Sequence, residues 1–170
     1  MALIIEDGSG VPGANSYVTV EEIKTYNNAR GTSLPSTDED IEKLAVQAFD
    51  YVESFRSQYQ GTKTNPQYPQ CWPRTGVVID GYYEVPSNAI PQELRDASCQ
   101  ATGDAAEQDL MPTQGPAVVK EKVDVLEVQY AEPTQTGGMN PEPAFPKVDS
   151  KLEPLFNTGG SGYRVQVIRG

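Results

Sequence analysis

Residues 65–76, with the sequence NPQYPQCWPRTG, constrain the fold more than any other stretch of this 170-residue chain. They contain the only tryptophan, one of the two cysteines and three of the fourteen prolines. Pro66, Pro69 and Pro73 each fix φ and push the preceding residue toward extended geometry. The stretch is therefore predicted to be a stiff, non-helical connector between two long helices. Trp72 is predicted to be the large apolar anchor that pins this connector to the helix pair.

Three segments around the connector show helical patterns. A capping-box pair, Thr19 and Glu22, predicts the start of a short helix over about residues 20–29. Apolar residues at three- and four-residue steps predict a second helix near residues 38–59. A third helix, near residues 90–110, has a narrow face of mostly small side chains that allows close approach to helix two or to a neighbouring subunit. The predicted fold is mainly α, a small bundle of three main helices.

The rest of the chain divides into a hairpin and an arm. Residues 1–111 form the predicted helical body, which includes the connector and a tight hairpin at Asp80-Gly81. Residues 112–132 alternate well enough to predict a second β-hairpin. Residues 133–170 begin as a linker rich in proline and glycine and end in a short helix and a strand. They are predicted to be an extended C-terminal docking arm.

Charge is unevenly distributed along the sequence. The chain has 13 Lys and Arg, 24 Asp and Glu and no histidine, which gives a net charge of −11 at pH 7. Residues 1–111 hold 7 basic against 17 acidic side chains, and residues 112–170 hold 6 against 7. The helical body is therefore acidic, and a polyanion would be repelled by it unless a local basic patch formed.

No residue set in the sequence points to catalysis or metal binding. Without histidine, neither a His-based acid or base nor a zinc site can be assembled from the two cysteines. The glycine-rich run at residues 8–13 is not followed by the Lys-Ser/Thr pair of a phosphate-binding loop. We therefore predict that the protein is not an enzyme and has no catalytic residue, no cofactor site and no metal site.

The cysteines and the start of the chain indicate the compartment. Cys71 and Cys99 are predicted to be reduced and packed, with a disulfide between them as the alternative. The apolar run after Met1 is far too short for a signal-peptide core or a membrane span. We expect a protein without membrane contact that is made and used in a cytoplasm.

Two groups of side chains are predicted to meet partners. Trp72 and Arg74 in the connector and Tyr82 and Tyr83 in the hairpin are candidates for subunit contacts. The alternatives are core packing for the tryptophan, a local salt bridge for the arginine and stacking on bases for the tyrosines. Apolar residues of the arm are predicted to dock on another protein by β-addition, or alternatively to fold back on their own body. These arm residues are Leu152, Leu155, Phe156, Tyr163, Val165, Val167 and Ile168.

The order of several segments resembles a known family. They are ALIIEDGSGVPGANSYVTVEEI at the start, YPQCWPRTG in the connector, a P-x-x-L-R-x-A helix at Pro91, VKEKVDVLEVQYA in the second hairpin and VDSKLEPLF in the arm. Over nearly the whole chain this layout resembles the head–tail connector family of tailed bacteriophages, which comprises adaptor and head-completion proteins. Its members are often labelled DnaT-like single-stranded-DNA-binding proteins.

The resemblance implies a structural virion protein at the neck, the head–tail interface, and a host cytoplasmic location during assembly. Copies would form a ring, usually a dodecamer, beneath the portal protein, with the apolar residues of the arm docked on the portal. Trp72, Arg74, Tyr82 and Tyr83 would meet neighbouring subunits or the tail or nozzle protein below. Genomic DNA would pass through the lumen without specific binding. The alternative function is a replication accessory that binds single-stranded DNA.

Overall fold

The computed structural model describes residues 2–112 and 145–157, together with the backbone of residues 121–123 and 126–128. In these parts the chain forms four α-helices and six short strands, so the fold is mainly α, as the sequence predicts. The strands pair two by two into three antiparallel ribbons. Because each ribbon has only two strands, the helices supply the main framework of the core.

The chain divides into two compact units. The larger unit contains Met1–Leu110 and Phe145–Gly170, and the smaller unit contains Met111–Ala144. The predicted boundary of the body lies at residue 111, next to the start of the smaller unit. The docking arm, however, is predicted to begin at residue 133, whereas its part from Phe145 onward belongs to the same unit as the body.

The first two helices begin at the predicted capping residues. At α1 (Val20–Asn28), the Thr19 hydroxyl accepts a hydrogen bond from the Glu22 N–H, and the Glu22 carboxylate accepts one from the Thr19 N–H. At α2 (Asp38–Ser54), the hydroxyl of Thr37 accepts from the N–H of Asp40. These local hydrogen bonds explain why the starts of both helices can be predicted from the sequence.

Two helices are shorter than predicted. α2 is predicted to extend to residue 59 but ends at Ser54. Beyond it the chain turns so that Tyr59 enters the core, where its hydroxyl donates to the Val52 carbonyl at 2.8 Å. The third helix, α3 (Gln92–Ala105), is also shorter than the predicted 90–110.

α3 is the central helix of the larger unit, because it contacts α1, α2 and the C-terminal helix. Its small residues allow this packing, as predicted from the sequence. Gly103 lies against α1 so closely that a Cβ atom there would be 2.3 Å from the Oδ1 atom of Asn27. The Asn27 side-chain amide in turn donates to the Cys99 carbonyl at 2.9 Å, which fixes α1 on α3.

The helical part of the predicted arm packs on the body. It consists of α4 (Pro146–Leu152) and the 3-10 turn Glu153–Leu155, with Leu152 and Leu155 completely buried. Backbone hydrogen bonds connect Gln60 N–H to the Leu155 carbonyl at 2.9 Å and Asn157 N–H to the Gln58 carbonyl at 2.7 Å. This segment therefore completes the core of its own chain.

The predicted docking role of three arm residues is therefore wrong. Leu152, Leu155 and Phe156 cover apolar groups of their own body, and Phe156 packs against the rings of Phe55 and Tyr59. Side chains that fill their own core cannot enter a partner. The other predicted docking residues lie outside the described residues: Tyr163, Val165, Val167 and Ile168.

Two ribbons of the larger unit flank the connector. β1 (Thr62–Lys63) pairs with β2 (Arg74–Thr75) and closes the connector into a loop. β3 (Val78–Ile79) pairs with β4 (Tyr83–Glu84) and confirms the predicted tight hairpin.

The turn of this second ribbon is formed by Asp80 and Gly81. Their φ angles are 55° and 77°, values that Asp and Gly tolerate better than most residues. The N–H of Tyr82 donates to the Ile79 carbonyl at 3.3 Å across the turn.

The smaller unit contains a third ribbon. β5 (Glu121–Val123) pairs antiparallel with β6 (Leu126–Val128), in a register that places Val123 opposite Leu126. This ribbon confirms the inner part of the hairpin predicted within residues 112–132. The remainder of that prediction lies outside the described residues.

The packing of α4 predicts a large stability effect at Leu152. We expect Leu152→Ala to lower the free energy of unfolding by about 3 kcal/mol, because a completely buried leucine would be replaced by a cavity. Urea denaturation followed by circular dichroism measures the change. Lys147→Ala, at an exposed position of α4, is the control and should change the free energy by less than about 0.5 kcal/mol. Equal stability of the two variants would contradict the packing of α4 on the body.

Candidate interaction surface

Trp72 lies inside the larger unit and not on its surface. It is 1% exposed, and its ring meets the ring of Tyr59 edge to face, with centroids 5.5 Å apart. The peptide bond between Trp72 and Pro73 is cis. The structure therefore confirms the predicted anchor and excludes Trp72 from the predicted subunit interface, since almost none of the side chain reaches the surface.

Glu53 on α2 holds the connector in place. Its carboxylate accepts the Cys71 N–H at 2.9 and 2.8 Å, and it also accepts the hydroxyl of Tyr17. The Tyr17 oxygen accepts the N–H of Trp72 at 3.3 Å. Burial, together with the negative charge of Glu53, raises the pKa of Tyr17 well above its ordinary value, so the hydroxyl keeps its proton and remains a donor.

Arg74 is buried as well and is not available to a partner. Its guanidinium donates to the carbonyl oxygens of Gln60 at 2.6 Å, Gly61 at 2.8 Å, Tyr59 at 3.3 Å and Cys71 at 3.4 Å. These four hydrogen bonds close the base of the connector loop. The predicted interface role is therefore wrong, and backbone carbonyls take the place of the carboxylate that a local salt bridge would require.

The glycine-rich loop near the N-terminus wraps around a carboxylate of its own chain. Glu6 is 1% exposed and accepts hydrogen bonds from the N–H groups of Gly8 and Gly10 at 2.8 Å and of Val11 at 2.7 Å. The side-chain amide of Gln70, in the connector, donates to the same carboxylate at 2.7 Å. The N–H groups that would bind a phosphate are thus occupied by Glu6, which agrees with the sequence-based exclusion of a phosphate loop.

Both cysteines are free thiols in the core, as predicted. Cys71 is completely buried and Cys99 is 4% exposed. Burial raises the pKa of each thiol to about 12, and a nearby carboxylate, Glu53 for Cys71 and Asp96 for Cys99, contributes further. Neither thiol has the low pKa of a reactive cysteine.

None of the helices within residues 2–112 and 145–157 is long and apolar enough to cross a membrane. The same parts of the chain contain no group of three or more Cys, Asp or Glu side chains placed to hold a metal ion.

The hairpin of β3 and β4 is the candidate surface for a partner. We call residues 77–85 the tyrosine hairpin. One side of it is anchored, because Val77, Ile79 and Val85 are buried in the same core cluster as Trp72. A tight turn and a buried inner side make the hairpin a rigid projection from the body.

The exposed part of the tyrosine hairpin combines apolar and acidic groups. Tyr82 is 83% exposed in the turn beside Asp80, and Val78, 39% exposed, pairs with the exposed Glu84 on the outer face. Tyr83 is 52% exposed, but it pairs with the buried Ile79 and lies on the other face of the ribbon. Residues 75–94 contain no lysine or arginine. The predicted interface role of the two tyrosines is therefore compatible with their exposure, and their surroundings are negative.

Sequence reasoning missed two of the residues that matter here. Val78 contributes apolar area to the tyrosine hairpin, and the run Val77-Val78-Ile79 around a hairpin signal could have indicated one outward valine. Glu53 has no comparable signal, because it occupies an ordinary position near the end of a helix. Its role depends on the path of the connector.

The comparisons with known proteins give one match. A family model described as "Putative DnaT-like ssDNA binding protein" matches residues 1–170. No curated protein and no solved structure matches the chain.

The environment of Glu6 predicts a graded stability effect. Glu6→Ala should lower the free energy of unfolding by about 3 kcal/mol, because four donors lose their acceptor in a buried site. Glu6→Gln should lose less, since one side-chain oxygen still accepts. Chemical denaturation measures both, with Glu107→Ala, which removes an exposed carboxylate, as the control. Unchanged stability of Glu6→Ala would show that the loop does not need this carboxylate.

The raised pKa values of the thiols predict slow alkylation. At pH 8, where an ordinary cysteine is partly thiolate, both thiols should remain unmodified by iodoacetamide in the folded protein. In urea, where the chain is unfolded, both thiols should react with iodoacetamide as fast as the thiol of a small model compound. Mass spectrometry of the intact protein counts the modified sites. Rapid modification of the native protein at either cysteine contradicts the burial described above.

Proposed function

The chain belongs to the DnaT-like family, whose model matches its full length, and from this premise we propose that it is a structural adaptor subunit. In this proposal copies form a ring between the portal and the tail of a bacteriophage. The observation that carries it is the tyrosine hairpin, a rigid, exposed, aromatic and acidic projection from an acidic body. Exposed tyrosines are typical of protein interfaces.

Charge supports a protein partner over a nucleic acid. Residues 2–112 hold 7 Lys and Arg against 17 Asp and Glu. Such a surface repels phosphates, whereas it does not stop DNA from passing through a ring lumen without sticking. The proposal therefore makes genomic DNA a passenger and assigns specific contacts to proteins.

The structure leaves fewer residues for the portal contact than the sequence alone suggests. α4 and the 3-10 turn after it belong to the core, so they cannot reach a portal. The contact is left to Tyr163, Val165, Val167 and Ile168, whose alternation predicts a strand suited to β-addition. The tyrosine hairpin is assigned to neighbouring subunits or to the tail protein below.

Single-stranded DNA binding is the second candidate. The family description names single-stranded DNA binding and does not name an adaptor, so the family match supports this second candidate better than the first. Tyr82 and Tyr83 are exposed enough to stack on bases. Such sites combine stacking with a positively charged groove, however, and Asp80 and Glu84 put negative charge beside these tyrosines.

Two measurements on the same protein separate the candidates. Fluorescence anisotropy with a labelled single-stranded oligonucleotide, at about 50 and 200 mM salt, should show no salt-dependent binding at micromolar protein. Sedimentation with purified portal rings should show binding. Tight binding to the oligonucleotide that is lost in Tyr82→Ser/Tyr83→Ser would replace the adaptor by the second candidate.

Two C-terminal truncations test whether residues 158–170 form the proposed contact with the portal. Removing residues 158–170 should leave the circular dichroism spectrum and the unfolding midpoint nearly unchanged and abolish co-sedimentation with portal rings. Removing residues 148–170 is the control for the core, and it should destabilise the fold because Leu152 and Leu155 leave with it. Undiminished co-sedimentation of the shorter truncation would exclude the terminal strand as the portal contact.

A further inference from the structure

A cationic patch surrounds one tyrosine of α1. The guanidinium carbon of Arg30 lies 3.5 Å from the ring centroid of Tyr26, and the Lys151 Nζ atom lies 5.5 Å from the same centroid. Lys147 precedes Lys151 by one turn of α4, on the same side of that helix, and is exposed. We call Tyr26, Arg30, Lys147 and Lys151 the cationic patch.

The other cations of residues 2–112 have partners elsewhere. Four form ion pairs with carboxylates: Lys24 with Asp38, Lys43 with Asp40, Arg56 with Glu53 and Arg95 with Glu22. Two more, Lys63 and Arg74, donate to backbone carbonyls, and they are half-buried and buried respectively. Arg30 also donates to a carbonyl, that of Tyr26 at 3.1 Å, but it is exposed. Within the described part of this acidic chain, the cationic patch is therefore where positive charge is concentrated toward solvent.

The tyrosine hairpin is chemically complementary to this patch. It presents the exposed ring of Tyr82 beside Asp80, with Glu84 on its outer face, whereas the patch presents a guanidinium and two ammonium groups around the largely buried ring of Tyr26. A guanidinium that already covers one aromatic face can stack a second ring on its other face. The carboxylates of the hairpin then meet lysines, and the pairing improves as water leaves the contact.

We propose that the tyrosine hairpin of one copy docks on the cationic patch of a second copy. The tyrosine hairpin and the cationic patch share no residue and carry opposite charge. Each copy can therefore offer its hairpin to one neighbour while its patch receives that of another. Such a heterologous contact repeats from copy to copy and closes into a ring when the rotation allows. This inference rests on the proposed adaptor function and adds the subunit contact to it.

Cross-linking between isotopically distinct copies tests the contact. Copies labelled with nitrogen-15 are mixed with unlabelled copies at the highest concentration at which the protein stays in solution. A carbodiimide, which joins a carboxylate to a lysine without a spacer, is then added. Mass spectrometry should find mixed-isotope peptides that join Asp80 or Glu84 to Lys147 or Lys151. Links that join Asp80 or Glu84 of one copy to lysines outside the cationic patch of another, or the absence of links between copies, would overturn the inference.

A charge exchange between copies provides the sharper test. Glu84→Lys alone should weaken self-association about tenfold, and so should Lys147→Glu/Lys151→Glu alone, because like charges then face each other. An equal mixture of the two variants should recover association, since each hairpin again meets a patch of opposite charge. Sedimentation velocity measures all three samples. Asp50→Lys, which makes the same charge change at an exposed position of α2, is the control and should associate like the parent protein.

The possible outcomes separate this inference from the proposed function. A mixture that associates no better than either variant alone overturns the hairpin contact, whatever the portal experiment shows. Parent copies that associate and bind portal rings, but with cross-links through another surface, leave the adaptor function standing and remove only the contact. Failure to bind portal rings, with hairpin-to-patch links present, removes the adaptor function and retains the contact.

Discussion

The carboxylate of Glu53 is the constraint on which the larger unit most depends. It lies at the end of α2 and accepts the N–H of Cys71 and the hydroxyl of Tyr17, so one group joins a helix, the connector and the N-terminal segment. Its side chain is 14% exposed, and the guanidinium of Arg56 lies 3.7 Å away at the edge of the site. The hydrogen bonds from Cys71 and Tyr17 therefore stabilise the Glu53 carboxylate more than the ion pair with the partly exposed Arg56 does. Glu53 binds the N–H of Cys71, and the Tyr17 oxygen binds the N–H of Trp72. These hydrogen bonds fix the backbone that places the Trp72 ring in the core.

Many charged side chains form hydrogen bonds or ion pairs within the fold, and this helps to explain why the surface is negatively charged. Glu6 and Glu53 use their carboxylates to order loops, and Arg74 uses its guanidinium on carbonyl oxygens. Most other cations of residues 2–112 are bound to carboxylates of the same chain. The surplus of acidic residues therefore faces solvent with few cations free to offset it. Such a body carries a broad negative field, which repels polyanions and further copies of itself except where local contacts offset the charge.

Local signals in the sequence predict the elements, and long-range packing decides what the side chains do. Capping residues and the spacing of apolar residues predict α1 and the start of α2, and Asp80-Gly81 predicts the tyrosine hairpin. The role of Leu152 was not predictable in this way. An apolar helix beyond a long linker looks alike in sequence whether its own core or a partner covers it, and only the packing of α4 against α3 in the folded chain distinguishes the two.

The same difficulty applies to the connector. Trp72 and Arg74 are residue types common at interfaces, and their burial depends on a path of the chain that Glu53 and the carbonyls of residues 59–61 fix. Tyr82 differs, because the turn of Asp80 and Gly81 places it at the tip of a ribbon whatever lies beneath it. A hairpin tip was therefore the one part of the candidate surface that sequence alone could place outside.

The family description points to single-stranded DNA as the partner, whereas the acidic charge of the chain favours a protein. The positions of the arginines help to decide between the two. Residues 154–170 contain Arg164 and Arg169 and no acidic residue, so the end of the chain is locally basic while the body is acidic. Two arginines can neutralise two phosphates, which corresponds to a slope of about −1.4 for log K against log salt on single-stranded DNA. That contribution is small against the repulsion from an acidic body. The alternation of residues 163–168 in the sequence predicts a strand, and our proposal assigns this segment to the sheet edge of a partner protein, where backbone hydrogen bonds supply the affinity and the two arginines select an acidic neighbour.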